Sequence, residues 1–480
     1  MTTPQPEAST TANIPLADLE SASKHENAHN ASRWNGFSQF HPSNVLAHPD
    51  GLASNDKDWL AYAEDTVIRL TIALTPSFLQ KYVGVDPPQP AKLHAIAALD
   101  GLRGWACLLV FNFHFLFTYT WKVAVGWGFG GFSGNNWGLH QLPIIHMLIS
   151  GHIMVAIFFV ISGYVLSYKA LKTIRSRAFD QTFTTLASST FRRALRLYIP
   201  SLVGLTTVFI AVRLGIYNYS WLVIQEVYQT LGKQFWDFYY TIARLMNPFD
   251  WALYYNNYNP HLWTIPVEFR CSLVLFLTTL ATSRLVSNVR MCLVGSLIWF
   301  CMRYGRWDVV LFLLGMTMAE LDLINGTWER PPSAVSDNIH IRLPPQGKIV
   351  GTISRRRLWI GLFVVGLYLG SSPNLGFKWT PGYRWLWSIT PRTYGEPHRF
   401  PQTLGAALIV FSINHSPDIQ KLFTNPLSQY LGRSPIWAGD VFWRMVDVPS
   451  VKFARWLEDR LVAKGTPAMA MNSTAQPNRD

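Results

Sequence analysis

Charge is scarce in this sequence. Lys, Arg, Asp and Glu make up 14% of its 480 residues, against roughly 25% in an average soluble protein. A charge-coated soluble globule is thereby excluded. Cysteine is scarcer still: Cys107, Cys271, Cys292 and Cys301 all lie in apolar segments, with no Cys-x-x-Cys pair. Neither a disulfide framework nor a zinc site is implied, and packing is their expected role. The sequence lacks a His-Glu-x-x-His motif and any Asp-rich cluster. On one helix His146 and His152 would sit about 240° apart, so no metal is expected. No basic stretch with a short apolar core opens the chain. An internal span is therefore expected to direct membrane entry.

What the sequence does have is apolar and aromatic surface, 49% hydrophobic and 14% aromatic residues. Most of it lies between about residues 95 and 415. Candidate spans run over 102–121, 144–166, 197–212, 262–282, 291–302, 308–320, 358–373 and 403–415. The second has 23 residues without Asp, Glu, Lys or Arg, enough to cross the hydrocarbon core. The pattern predicts an all-α, polytopic transmembrane helix bundle of about eight spans. Residues 1–90 read as a polar, largely disordered tail. Within it, 58–84 is either an interfacial amphipathic helix or a short soluble one.

The net charge of +13 sits in loops between apolar runs, which sets membrane orientation and does not suggest nucleic acid. Segment 169–196 carries seven Lys and Arg against one acid, and 326–357 is also basic. The positive-inside rule puts both in the cytosol, with the N-terminus. It puts 217–261, with its sequon Asn218-Tyr219-Ser220, outside, so the expected product is a multi-pass glycoprotein of an endomembrane or the plasma membrane.

Arg103 and His114 are eleven residues apart. In a helix that leaves them about 20° apart around the axis and about 16 Å apart along it. Ionisable groups on one stripe of a membrane helix must face protein or water, which makes them a functional site by default. The expected orientation sets Arg103 near the cytosolic interface and His114 deep.

The stretch Leu99-Asp100-Gly101-Leu102-Arg103-Gly104-Trp105-Ala106, followed by His114, resembles the opening helix of the acyltransferase-3 family of membrane O-acyltransferases. Three further blocks follow in the family's order: Phe158 to Leu166, Phe191 to Pro200, and Leu262 to Phe269. Leu313-Leu314-Gly315-Met316 and Asn425 to Gly432 extend the resemblance to about residue 432. The variant of these blocks resembles the fungal branch. The transmembrane acyltransferase domain is thus expected over 91–432, with 433–480 a shortened C-terminal segment and tail. About two spans that the family usually carries are missing after Gly432, which points to an internal deletion.

The resemblance implies transfer of an acyl group, commonly acetyl, from acyl-CoA as co-substrate to a hydroxylated acceptor, with no bound cofactor. The acceptor would be a small-molecule natural product or a cell-surface glycan. A hydroxyl needs a base within reach, and His114 suits that task near neutral pH. Arg103 would bind donor phosphates or polarise the acyl carbonyl. Arg192, Arg193 and Arg196 are either a positive-inside anchor or a cradle for the phosphates of CoA. Glu268 matches His114 in depth and would orient its ring; its structural alternative is pairing with Arg270. Ser162, beside Gly163, is a substrate contact or part of a close helix contact. Trp263 is counted with the donor site. A transporter and an inactive scaffold are the competing readings, the first opposed by the lack of an inverted repeat.

Overall fold

A helix satisfies its backbone polar groups internally, which is what an apolar segment needs in lipid. Each of the eight expected segments carries one. The computed structural model describes residues 96–129, 136–216, 227–327, 338–343, 348–433 and 446–461. The expected tail, the 58–84 helix and the sequon lie outside these residues. The first helices are α1 (Ala97–Tyr119), α2 (Gly151–Arg175), α3 (Phe179–Arg213) and an amphipathic α4 (Leu231–Leu245). They are followed by α5 (Thr264–Ala281), α6 (Ser287–Arg303) and α7 (Trp307–Asn325). After a hairpin come α8 (Arg355–Gly370), short α9 (Arg384–Ile389) and α10 (Arg399–His415). The helical part closes with α11 (Pro417–Thr424), α12 (Pro426–Arg433) and α13 (Val448–Leu461).

Among the described residues, three segments are long and apolar enough to cross a membrane by themselves: Gly151–Arg175, Phe179–Arg213 and Pro260–Ala281. The other expected spans fall short for physical reasons. α7 carries Asp308, Glu320 and Asp322, while α8 and α10 have 16 and 17 residues.

Three details differ from expectation. The helical bundle carries one hairpin, in which β1 (Asn338–Leu343) and β2 (Lys348–Ser354) pair antiparallel with Asn338 opposite Ser354. The alternation Asn-Ile-His-Ile-Arg-Leu is the period-two signal of a strand. The second span begins at Gly151, not 144, because Ile145–Ile149 forms a 3₁₀ turn preceded by Ile144 at φ 71°. His146 and His152 therefore do not share a helix, and the ring nitrogens of His146 face the carbonyls of Ser371 and Val123. Finally, the basic segment 169–196 is not a loop. It is the end of α2 and the first half of α3, joined by a turn at Ser176–Ala178.

The core sits where α7 runs along α2, with α1, α5, α6 and α10 around the pair. Gly163 and Gly315 make that contact possible. A Cβ on Gly163 would lie 2.2 Å from the Phe312 carbonyl oxygen, and one on Gly315 would lie 2.3 Å from that of Val160. α3 is different. Only 22% of its most apolar stretch is buried in the fold, against 61% for α2, so it presents apolar surface outward, as a lipid-facing helix does.

The acids of α7 are neutralised within this bundle. Asp308 pairs with Arg270 at 2.8 Å and Arg306 at 3.0 Å, and both guanidinium groups stack on Trp251. Glu320 pairs with Arg290 at 2.7 Å. Asp322 accepts from Tyr164 and Asn414 and faces His415 at 3.1 Å.

Candidate active site

α1 is apolar over most of its length, so a polar side chain on it needs a polar space beside it. That space is a cavity of about 650 Å³ enclosed chiefly by α1, α2, α3, the start of α5 and α13. Every site residue expected from sequence lines it: Arg103, His114, Ser162, Arg192, Arg193, Arg196, Trp263 and Glu268. Arg103 and His114 face one space because eleven residues return a helix almost to its starting angle. The N-terminal turns of α1 are held by α11 and α12. A Cβ on Gly104 would lie 2.2 Å from the Gly432 nitrogen, and the Trp105 indole donates to Ser428 Oγ at 2.9 Å.

The cavity has two unlike ends. At the deep end the His114 ring lies against that of His261, with centroids 3.9 Å apart. His261 occupies a 3₁₀ turn, Pro260–Trp263, whose start is capped by the Asn259 side chain. His152 lines the same region and meets Phe113, which also packs on His114. Trp263 is buried and packs against Trp307.

The other end is basic. Five arginines line the cavity, Arg103, Arg192, Arg193, Arg196 and Arg455, against two carboxylates, Glu268 and Asp447. Arg103 is more than half exposed and its nearest acid, Asp100, is 3.5 Å away. Arg192 pairs with Glu458 at 3.1 Å. Burial pushes the Asp447 carboxyl up from its ordinary value, against the opposing pull of Arg196 and Arg103.

Between the two ends lies Glu268. Its Oε1 accepts from Arg193 at 2.7 Å and, more weakly, from Ser162 Oγ at 3.4 Å. Arg193 also donates through Nε to Ser272. Among the described residues no hydrogen bond joins Glu268 to His114, whose ring neighbour is His261. Nor does Glu268 pair with Arg270, which is committed to Asp308. Gly163 has the packing role weighed for this pair, admitting α7, while Ser162 lines the cavity.

Sequence reasoning missed His261, His152, Asp447 and Arg455. His261 had a legible signal: it stands immediately before Leu262-Trp263, at the same end of the fourth span that set the depth of Glu268. Asp447 and Arg455 had none, because only the packing of α13 brings them to the cavity.

The Acyltransferase domain, as described for its family, matches residues 96–435. The chain belongs to the acyltransferase-3 family. It is similar to the O-acetyltransferase PaAT-1 of Phomopsis amygdali, 31% identical over 404 residues, 75% of each chain. It is also similar to the acyltransferase R4 of a Phoma species, 26% identical over 72% of this chain and 82% of that one. The acyltransferase clz18 of Cochliobolus lunatus is 25% identical over the same shares. No solved structure matches the chain significantly. It is thus a membrane-associated acyltransferase that transfers groups other than aminoacyl groups.

Proposed function

We propose that the protein is an O-acyltransferase that moves an acyl group, acetyl first among candidates, from acyl-CoA to a hydroxyl of a small-molecule natural product. The observation that carries this reading is the cavity joining the arginine end to His114 along one face of α1. The oxygen of the acceptor attacks the thioester carbonyl while His114 takes the hydroxyl proton. The C–S bond breaks, the thiolate leaves, and the proton passes to it. The products are the ester and free CoA, and atoms balance without an oxidant or a metal. His261, in ring contact with His114, is placed to position that imidazole or share its proton.

Arg103 and the arginines of α3 bind the phosphates of the donor, since a guanidinium is a fixed multidentate donor. Glu268 fixes Arg193 and so shapes the passage between the two ends. The eight helices matching the expected spans cross the bilayer, with the basic end and the N-terminus in the cytosol where acyl-CoA is made. The name of PaAT-1 supports acetyl over longer acyl groups and a hydroxyl over an amine. Two of the three relatives named carry only the general term acyltransferase; a natural product is preferred to a cell-surface glycan because all three come from fungi.

The test is direct. Purified protein in lipid nanodiscs, given acetyl-CoA labelled in the acetyl group and a panel of hydroxylated fungal metabolites, should form a labelled ester. Label appearing only in amides, or an ester formed only with longer acyl donors, would contradict the corresponding part of the proposal.

A further inference from the structure

α13 lies in the segment that sequence reading treats as a shortened end, yet it closes one side of the cavity. Its small buried residues Ser450 and Ala454 let it seat closely in the bundle, and it packs along the basic half of α3. From that seat Val451 and Arg455, four residues apart and hence neighbours on one helical face, reach the cavity. Asp447, one turn earlier, lines it too. Glu458 ties the helix to α3 through Arg192 at 3.1 Å. The opposite face exposes Phe453 and Trp456, stacked on each other.

The charge at this end is unbalanced. Asp447 faces Arg196, but Arg193, Arg103 and Arg455 crowd the same guanidinium. Five lining arginines meet two lining carboxylates, and one of those, Glu268, is already held by Arg193. Even when Glu458 on Arg192 and Asp100 on Arg103 are included, cations exceed acids by one. By contrast, Asp308 and Glu320 in the core each meet an arginine within 3.0 Å. Like charges crowded into a partly enclosed space favour an anionic occupant.

We propose that α13 completes the donor site. Arg455 joins Arg103, Arg192 and Arg196 in binding the polyphosphate of a nucleotide thioester. Glu458 is paired with Arg192 and Asp447 lies within the electrostatic reach of Arg196, and the phosphates of the donor displace Glu458. This rests on the donor assignment proposed above and adds the C-terminal helix to it. Glu458 then acts as an internal competitor: it ties α13 to α3 through Arg192 and weakens donor binding.

The experiment is calorimetry of CoA binding to the full chain in nanodiscs. Arg455→Ala should raise the Kd for CoA about tenfold, the scale of one charge-assisted contact. Glu458→Gln should lower it about threefold, because a competitor for Arg192 is gone while the side-chain shape is kept. The second result separates a phosphate site from a structural clamp, since loosening a clamp would weaken binding or leave it unchanged. If Arg455→Ala does not fold, Glu458→Gln decides alone: tighter CoA binding supports the proposal, and unchanged or weaker binding overturns it. A parent protein that binds CoA, with both variants within twofold of it, overturns the role of α13 only. A parent that does not bind CoA overturns the donor assignment itself.

Discussion

Two groups of charges lie within this bundle, and they are built on opposite rules. Around α7 two of three acids meet arginines: Asp308 lies between Arg270 and Arg306, and Glu320 against Arg290. The cavity between α1, α2, α3 and α13 instead gathers five arginines and two carboxylates. In the first group the acids are held in ion pairs by arginines of the chain itself. In the second, arginines outnumber the acids the chain sets against them. Membrane proteins keep ionisable residues in apolar surroundings at a cost, and the balance of each cluster tells which use that cost serves.

The comparison can be broken by substitution. Asp308→Asn removes the shared partner of two arginines, of which Arg270 is fully buried, and should destabilise the fold by about 3–5 kcal/mol. A steep fall in the midpoint of thermal unfolding would check it, with activity lost in parallel. A variant with the parent midpoint but impaired turnover would move Asp308 into the functional class. Gly163→Ala would set its new methyl 2.2 Å from the Phe312 carbonyl oxygen. That forces α2 away from α7 and should cost about 1–3 kcal/mol. The same unfolding measurement reads it.

Within the cavity, Glu268→Gln should lower kcat/KM about tenfold, the scale of a charged hydrogen bond, with little change in unfolding midpoint. Arg193→Gln should do the same. Because the two side chains act as one pair, the double variant should be no worse than either single one. Fully additive losses would mean that Glu268 and Arg193 work apart. The smallest effect is expected for Trp105→Phe, which removes the bond to Ser428 and should cost about 1 kcal/mol without altering KM for the donor.

Much of this was legible in the sequence. Apolar runs of sufficient length gave eight helices, and the eleven-residue spacing put Arg103 and His114 on one cavity. Hydropathy alone did not locate the start of α2, because it does not register the 3₁₀ turn at Ile145–Ile149. Depth alone paired Glu268 with His114, whereas its carboxylate accepts from Arg193 and Ser162. Arg193 reaches Glu268 from another helix, and neighbourhood along the chain says nothing of that. The same limit hid His261 as the ring partner of His114, and hid α13 altogether. The hairpin at 338–354 was missed for a different reason: its alternating pattern was subordinated to its charge.

The central claim is that donor binding and chemistry are separate ends of one cavity, with His114 at the chemical end. It is tested most directly by His114→Ala in nanodiscs, following acetyl transfer and CoA binding on the same preparation. The account predicts transfer reduced by about 10²–10⁴-fold, with CoA affinity within twofold of the parent. Transfer at the parent rate would contradict it.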